Sequence, residues 1–486
     1  MDNYVLCGMQ FGDEAKGSFV DYLAHEKNID CVIRYNGGSQ ASHTVVTPTK
    51  VIHKFSQLGS GMFLDKCHTY LTENMVINFD SLIVELEVFS KKTGIPIPDL
   101  IDRIHIHENC YVVTPYHRLI NRLRELSQGE NRRGTVGTGV SEVRYLLTEP
   151  KLLPYEPPLG LQVKDIFNRN SNNPVYSRLE ALRDYVDKFY KENKDAIWQN
   201  VPLEIKESLE KEIEVLLPGK SFIGIAAFYI IKLKSAPYKV NFIRCIYSNY
   251  ETSFRRDCKK AIFEGAQGLL IDEKYGIKPN TTFLDTTNHF ALDISSYGDN
   301  ITKVGIAKAF NTRHGLGVFP TETVEVSSRI SDNNQSKSFW NGKIRFGWFD
   351  AVLLRYAQSI NQVDEIYLSC LDELDSFETI KVCSEYHYNG IVDKDFNETF
   401  DYYTLPDGGI AIRDIKKPSE KLGRYLENCI PRYIVVDGWQ QDISNVSEKS
   451  SLPAKCLEYI SLLEELIHIH ISVVSIGPTR ENKIRM

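Results

Sequence analysis

Val5-Leu6-Cys7-Gly8-Met9-Gln10-Phe11-Gly12-Asp13-Glu14-Ala15-Lys16-Gly17-Ser18 runs from an apolar strand through a Gly-rich turn into a helix start. Val5 to Cys7 read as a buried strand, and Phe19, Val20, Tyr22 and Leu23 recur at helical spacing, which predicts an amphipathic helix. A turn of this kind offers backbone N–H groups and a helix N-terminus at the end of a strand, where phosphates bind. No Gly-x4-Gly-Lys-[Ser/Thr] pattern can be drawn through it, so it is not a Walker loop. Asp13 stands where a phosphate would sit. A carboxylate there must hold a metal or move a proton, or it would repel the ligand. Taken alone, the stretch serves equally as a strand–turn–helix corner with solvated charges.

The rest of the chain sets the frame. Its 486 residues suffice for a large core and more than one lobe. The formal net charge of −7 argues against general nucleic-acid binding. The ten cysteines show no paired Cys-x-x-Cys spacing, so neither a zinc site nor a disulfide framework is expected, and reduced thiols in a cytoplasmic protein fit best. The start lacks a signal-peptide pattern, and no run of about 18 apolar residues suggests a membrane span.

Strand-like and helix-like pieces alternate over residues 1–150, and again from Ala261. Between them, 168–260 is rich in Lys, Glu, Asn and Tyr with helical periodicity, and reads as a helical insertion within a single domain spanning 1–486. At least six apolar strands end in Gly- or Asp-bearing loops. The expected fold is α/β, with a large, mostly parallel central sheet flanked by helices and a mostly helical inserted lobe. Ligands of such sheets bind beyond the carboxyl ends of the strands.

Eight motifs then follow in order. They are Gly12-Asp13-Glu14-x-Lys16-Gly17; Arg34-Tyr35-x-Gly37-Gly38 with His43-Thr44; Phe263-Glu264-Gly265-Ala266-Gln267-Gly268; and Thr312-Arg313 with Phe319-Pro320-Thr321-Glu322. Gly347-Trp348-x-Asp350, Leu371-Asp372-x-Leu374-Asp375, Gly438-Trp439 and Gly477-Pro478-x-Arg480 complete the set, which resembles the adenylosuccinate synthetase family over almost the whole chain. The resemblance implies a purine nucleotide ligase. It phosphorylates the 6-oxo group of IMP with GTP and displaces the phosphate with L-aspartate, using Mg2+, in a cytoplasmic homodimer.

The same resemblance assigns roles. Asp13 is the base that takes the purine N1 proton, and it touches the metal with backbone atoms around Ser42. His43 acts on the transferring phosphoryl group, Lys16 contacts the donor phosphates, and Gln267 bonds near the purine 6-position. Gly12, Glu14, Gly17, Gly265 and Arg313 belong to the nucleotide loops, with Thr135 and Thr282 toward the nucleotide phosphate. Asp372 reads the donor base in a pocket lined by Ser475, Gly477 and Pro478. Each has a plainer alternative: a loop histidine, a solvated lysine, a polar turn residue or a loop-capping carboxylate.

Departures from the family pattern are also legible. The loop before Gly347-Trp348, where the family binds aspartate with two threonines and several arginines, keeps only Lys343 and Arg345 as cations. Cys370 stands where the family has a lysine near guanine, and Ala15 and Ser42 each replace a glycine. Some viral relatives act on deoxyguanylate, which keeps open the same chemistry on (d)GMP or a deoxynucleotide with ATP or dATP as donor. A non-catalytic nucleotide sensor is the remaining alternative.

Overall fold

The structure, a computed structural model, describes residues 3–149, 152, 158–168, 173–234, 242–250, 258–295, 300–330, 339–340 and 342–486. The chain forms two compact units: 1–29, 43–54 and 260–486 in the first, and 30–42 with 55–259 in the second. Ten strands belong to mostly parallel sheet. They are β1 (Asn3–Gly8), β2 (Cys31–Arg34), β3 (His68–Leu71), β4 (Ile104–His107), β5 (Ile246–Tyr247), β6 (Ala261–Glu264), β7 (Ile301–Lys308), β8 (Glu365–Ser369), β9 (Ile471–Ser475) and β10 (Lys483–Arg485).

In the first unit the order is β6-β1-β7-β8-β9-β10. All pairings are parallel except the last, where β9 and β10 form an antiparallel hairpin. A parallel sheet covered on both faces needs apolar residues on both sides of each strand. That is why Val5, Leu6 and Cys7 form a continuous apolar run and are all fully buried. The core continues through Met9, Ala307, Trp348, Phe377 and Tyr459. Each large apolar side chain buried there contributes roughly 1.5–3 kcal/mol. Helix α1 (Lys16–Lys27) departs from the amphipathic expectation, because Lys16 to Ala24 are all buried. The helix is enclosed: Phe19 packs 5.3 Å from the Tyr367 ring, Ser18 Oγ donates to Pro478 O at 3.3 Å, and Asp21 pairs with Arg480 at 3.2 Å.

In the second unit the order is β5-β4-β3-β2, all parallel. Helices α2 (Val175–Asn200) and α3 (Leu203–Leu216) lie in the stretch expected to be helical, parts of which fall outside the described residues. The cysteine expectation needs correction. Cys31, at the start of β2, and Cys258 form a disulfide, while eight other cysteines are free. The two partners are 227 residues apart and come together only in the folded sheet, so their spacing carried no signal. Among the described residues, no single helix is long and apolar enough to cross a membrane.

Candidate active site

The first unit gathers most of the singled-out residues at the carboxyl ends of its strands. The turn after β1 is locked from within. Glu14, fully buried, accepts from Gly12 N at 2.7 Å and Gln10 N at 3.1 Å, and pairs with Lys16 Nζ at 2.6 Å. Lys16 also donates to Gly12 O at 2.9 Å. Glu14 and Lys16, both read as facing nucleotide, thus hold the turn together here. The turn also interlocks with the one after β6: a Cβ on Gly8 would meet Gln267 O at 2.3 Å, and one on Gly268 would meet Gln10 O at 2.3 Å. No side chain larger than hydrogen fits at either position.

This frame leaves Asp13 partly exposed at the turn's outer edge. Its Oδ2 lies 3.2 Å from Lys308 Nζ at the end of β7, and Lys308 also donates to Thr312 Oγ1 at 3.3 Å. Gln10 clamps the Lys308 peptide from both sides, donating to its carbonyl at 3.2 Å and accepting its N–H at 2.9 Å. The nearby ammonium of Lys308, more than any other group, holds the Asp13 carboxyl below its usual range. His314 and Lys16 act in the same sense, and burial opposes them. Asp13 is therefore ionised at neutral pH.

His43 is the second chemical group. Its Nδ1 lies 2.6 Å from Oε1 of the fully buried Glu264, at the end of β6. The carboxylate places the imidazole proton on Nδ1 and orients the ring, as second-sphere carboxylates commonly do. Gln267 follows in the same turn, in a left-handed conformation with φ 65°. Its amide oxygen is buried without a hydrogen-bond partner, as is the Thr282 hydroxyl. Buried acceptors of this kind are costly unless a ligand satisfies them.

Arg313 has a different setting. Its guanidinium donates to Leu316 O, Val318 O and Asn280 O at 2.6–3.0 Å and stacks 4.6 Å over Phe11, so its hydrogen bonds brace the loop. Burial pushes it down to about 9, and Arg345 adds to that. Lys343 is exposed on the hairpin that pairs Asn311–His314 with Ile344–Gly347. Arg345, on the same hairpin, pairs with Glu322 and donates to Gly317 O at 2.7 Å.

A further corner forms where β8 and β9 end. Leu371 N donates to Ser475 O at 3.0 Å, and Ser475 Oγ to Gly477 O at 2.9 Å. Cys370 (φ 57°) and Asp372 flank this bond, with Pro478 in the following turn. Burial and the neighbouring Glu373 push the Asp372 carboxyl up to about 7, where its charge is easily supplied or withdrawn by a ligand. Two of the singled-out residues lie in the second unit. Ser42 is exposed, and Thr135 accepts from Asn121 Nδ2 at 2.9 Å, with its N–H on Glu125 at 3.3 Å.

The family model of adenylosuccinate synthetase matches residues 5–223 and 229–484. The chain belongs to the adenylosuccinate synthetase family. It is 30% identical to the adenylosuccinate synthetase of the Paulinella chromatophora chromatophore, across all of this chain and 96% of that protein. It is likewise 30% identical to the enzyme from the Wolbachia of Brugia malayi, across all of this chain and 97% of the relative. Among solved structures, the fully ligated adenylosuccinate synthetase of Plasmodium falciparum superposes with a TM-score of 0.71 at 22% identity, covering 100% of this chain and 99% of that one. The cyanophage S-2L succinoaminodeoxyadenylate synthetase, bound to dGMP and dATP, reaches 0.53 at 13% identity, covering 100% and 95%. Both share the α/β fold. As a member of this family, the chain is a ligase of purine biosynthesis that forms a carbon–nitrogen bond, with IMP, GTP and aspartate as substrates.

The sequence reading left three residues without a role. Glu264 stands within a motif, but nothing in the sequence marks it as the partner of His43. Lys308 and Lys483 were not singled out. A lysine closing the otherwise apolar run Val304-Gly305-Ile306-Ala307 was the available signal for Lys308.

Proposed function

We propose that Asp13 and His43 carry the two proton-handling roles of IMP-to-adenylosuccinate ligation in this chain. The observation that supports this most is the pair of opposite carboxylate settings: Asp13 held ionised by Lys308 on a locked turn, and Glu264 buried behind His43. Asp13 takes the N1 proton of the purine, which makes O6 a nucleophile. O6 then bonds to the γ-phosphorus as the bond from that phosphorus to the bridging β–γ oxygen breaks and GDP leaves. His43, its Nδ1 proton tied to Glu264, turns the opposite ring edge to the transferring group. The aspartate amine adds at C6, its proton is lost, and inorganic phosphate departs. Gln267 offers its unsatisfied amide to the purine. Lys343 and Arg345 are the two basic residues within the expected amine-substrate loop.

The donor set suits Mg2+ in one respect. No cluster of three or more His, Cys, Asp or Glu side chains is poised for a metal among the described residues. Magnesium, however, commonly rests on one or two carboxylates plus substrate phosphates, and the Asp13 carboxylate fits that demand. When bound, the ion would neutralise phosphate charge. We further place the chain in the cytoplasm as a homodimer, on the family's precedent.

The test is a substrate matrix of IMP, dIMP, GMP and dGMP against GTP, ATP and dATP, with and without aspartate, read by phosphate release and product mass. A succinyl product from IMP, GTP and aspartate is expected. A product from dGMP with ATP or dATP would transfer the same roles to the branch represented by the cyanophage structure. Phosphate release independent of aspartate would exclude both.

A further inference from the structure

Lys483 begins β10 and is buried, only 8% exposed. Among the described residues no carboxylate lies within ion-pair distance of its ammonium. Two of its three N–H donors go to main-chain carbonyls of the β9–β10 turn, Gly477 O at 3.1 Å and Thr479 O at 2.8 Å. Its ammonium also lies 5.5 Å over the Phe19 ring. The register pairs Lys483 directly with Ser475, whose carbonyl accepts from Leu371 N between Cys370 and Asp372. Lys483, from β10, and Asp372, from the short helical turn Asp372–Leu374 after β8, therefore approach one corner. A buried cation without a counter-ion, with a donor left over, is costly unless something brings an acceptor to it.

We propose that Lys483 is a further specificity determinant of the corner already assigned to the donor base: it reads the 6-oxo group of the purine beside the N–H edge expected at Asp372, and so strengthens the preference for guanine over adenine. The proposal rests on the reading that this corner holds the donor base. Guanine presents an acceptor at C6 and donors at N1 and the 2-amino group. Adenine presents donors at C6 and an acceptor at N1, so it opposes donor to donor and acceptor to acceptor at these two side chains. The electrostatics agree: burial brings Lys483 down to about 8, while the charges of Cys370 and Asp372 act to raise it. The acceptor therefore decides how firmly the charge is held.

The experiment measures binding of GTP and ATP, as their non-hydrolysable analogues, to the full-length protein by calorimetry, alongside KM for each donor. Wild type, Lys483→Met, Lys483→Arg and Asp372→Asn are compared. Lys483→Met should weaken guanine-nucleotide binding about 10- to 100-fold, the range of one charge-assisted hydrogen bond, with little change for ATP. KM for GTP should move more than kcat. Lys483→Arg should recover most of the selectivity and supplies the comparison if the methionine variant does not fold. Equal losses for both nucleotides would reduce Lys483 to a prop for the turn and overturn the proposal, as would unchanged selectivity. Failure of the underlying reading looks different: wild type would bind both donors alike, and Asp372→Asn would change nothing.

Discussion

The Lys308 ammonium stands 3.2 Å from Oδ2 of Asp13, although the two residues are 295 positions apart. Their contact depends on β1 and β7 being neighbours and on the Gln10 amide gripping the Lys308 peptide. A base so close to a cation is ionised early and stays so.

That arrangement fixes the direction of a pH effect. In the proposed scheme Asp13 acts as the carboxylate, and Lys308 is the first cause of its lowered pKa. Lys308→Met should raise that pKa and move the acid limb of kcat/KM to higher pH. The movement is partial, because Lys16 and His314 remain. An acid limb that stays put or moves down in the variant contradicts the role given to Lys308.

Asp13→Asn and His43→Asn should each lower kcat by roughly 10²–10⁴. Glu264→Gln should cost less and act on kcat rather than on substrate KM, since it meets the imidazole at Nδ1, the edge away from the transferring group. Steady-state kinetics on variants with unchanged circular dichroism decide this. Near-normal kcat in the Asp13 variant removes the base from the scheme.

Asp350 bears on stability. It caps the helix Ala351–Asn361 through Leu353 N at 3.1 Å and accepts from Tyr386 at 2.6 Å. Burial pushes its carboxyl from 3.8 up to about 6. The folded state thus binds the proton more tightly than the unfolded chain does, so this stabilisation is present below the unfolded value and lost as pH rises through about 6. Asp350→Asn keeps Oδ1 as the acceptor for Leu353 N, reverses the Tyr386 bond so that Nδ2 donates to the hydroxyl, and should flatten the pH dependence between 4 and 6. Urea midpoints for wild type and variant across that window report the difference.

Ala15 sits at φ 61°, a left-handed conformation that glycine adopts without steric cost. Ala15→Gly should therefore raise the unfolding free energy by about 0.5–1 kcal/mol, the strain relieved less the added unfolded-state entropy. A fall in the melting temperature of the glycine variant would show that the turn bears no strain at this position.

Without reductant the denatured protein should titrate eight thiols, and after reduction ten. Reduction, or Cys31→Ser, should lower stability by about 2–4 kcal/mol. Ten thiols in unreduced protein would mean that Cys31 and Cys258 are not joined.

Much of this was readable from residues alone because parallel strands declare themselves. Val5 to Cys7 need apolar neighbours on both faces, and the glycines beside them need room that only a close turn demands. Asp13 stood out as a carboxylate in a phosphate-type turn, whereas His43, Gln267 and Asp372 were legible only through the resemblance to the family. Lys308, Lys483 and the Cys31–Cys258 bond were not readable in the same way. Each depends on a partner hundreds of residues away or on a hairpin register, and nothing local marks it. The Glu14–Lys16 pair was not foreseen either: the two residues, two positions apart, satisfy each other within the turn.

The place of β1 has a consequence for how the protein is made. Tyr4 pairs with Ile262 on one side and Thr302 on the other. Strand β1 therefore waits for neighbours synthesised about 250 residues after it, an interval of roughly 13–50 s at 5–20 residues per second. Through that interval its apolar edges are unpaired and open to chaperones or to misassociation. The turn bearing Asp13 is thus translated long before the strands that give it its shape.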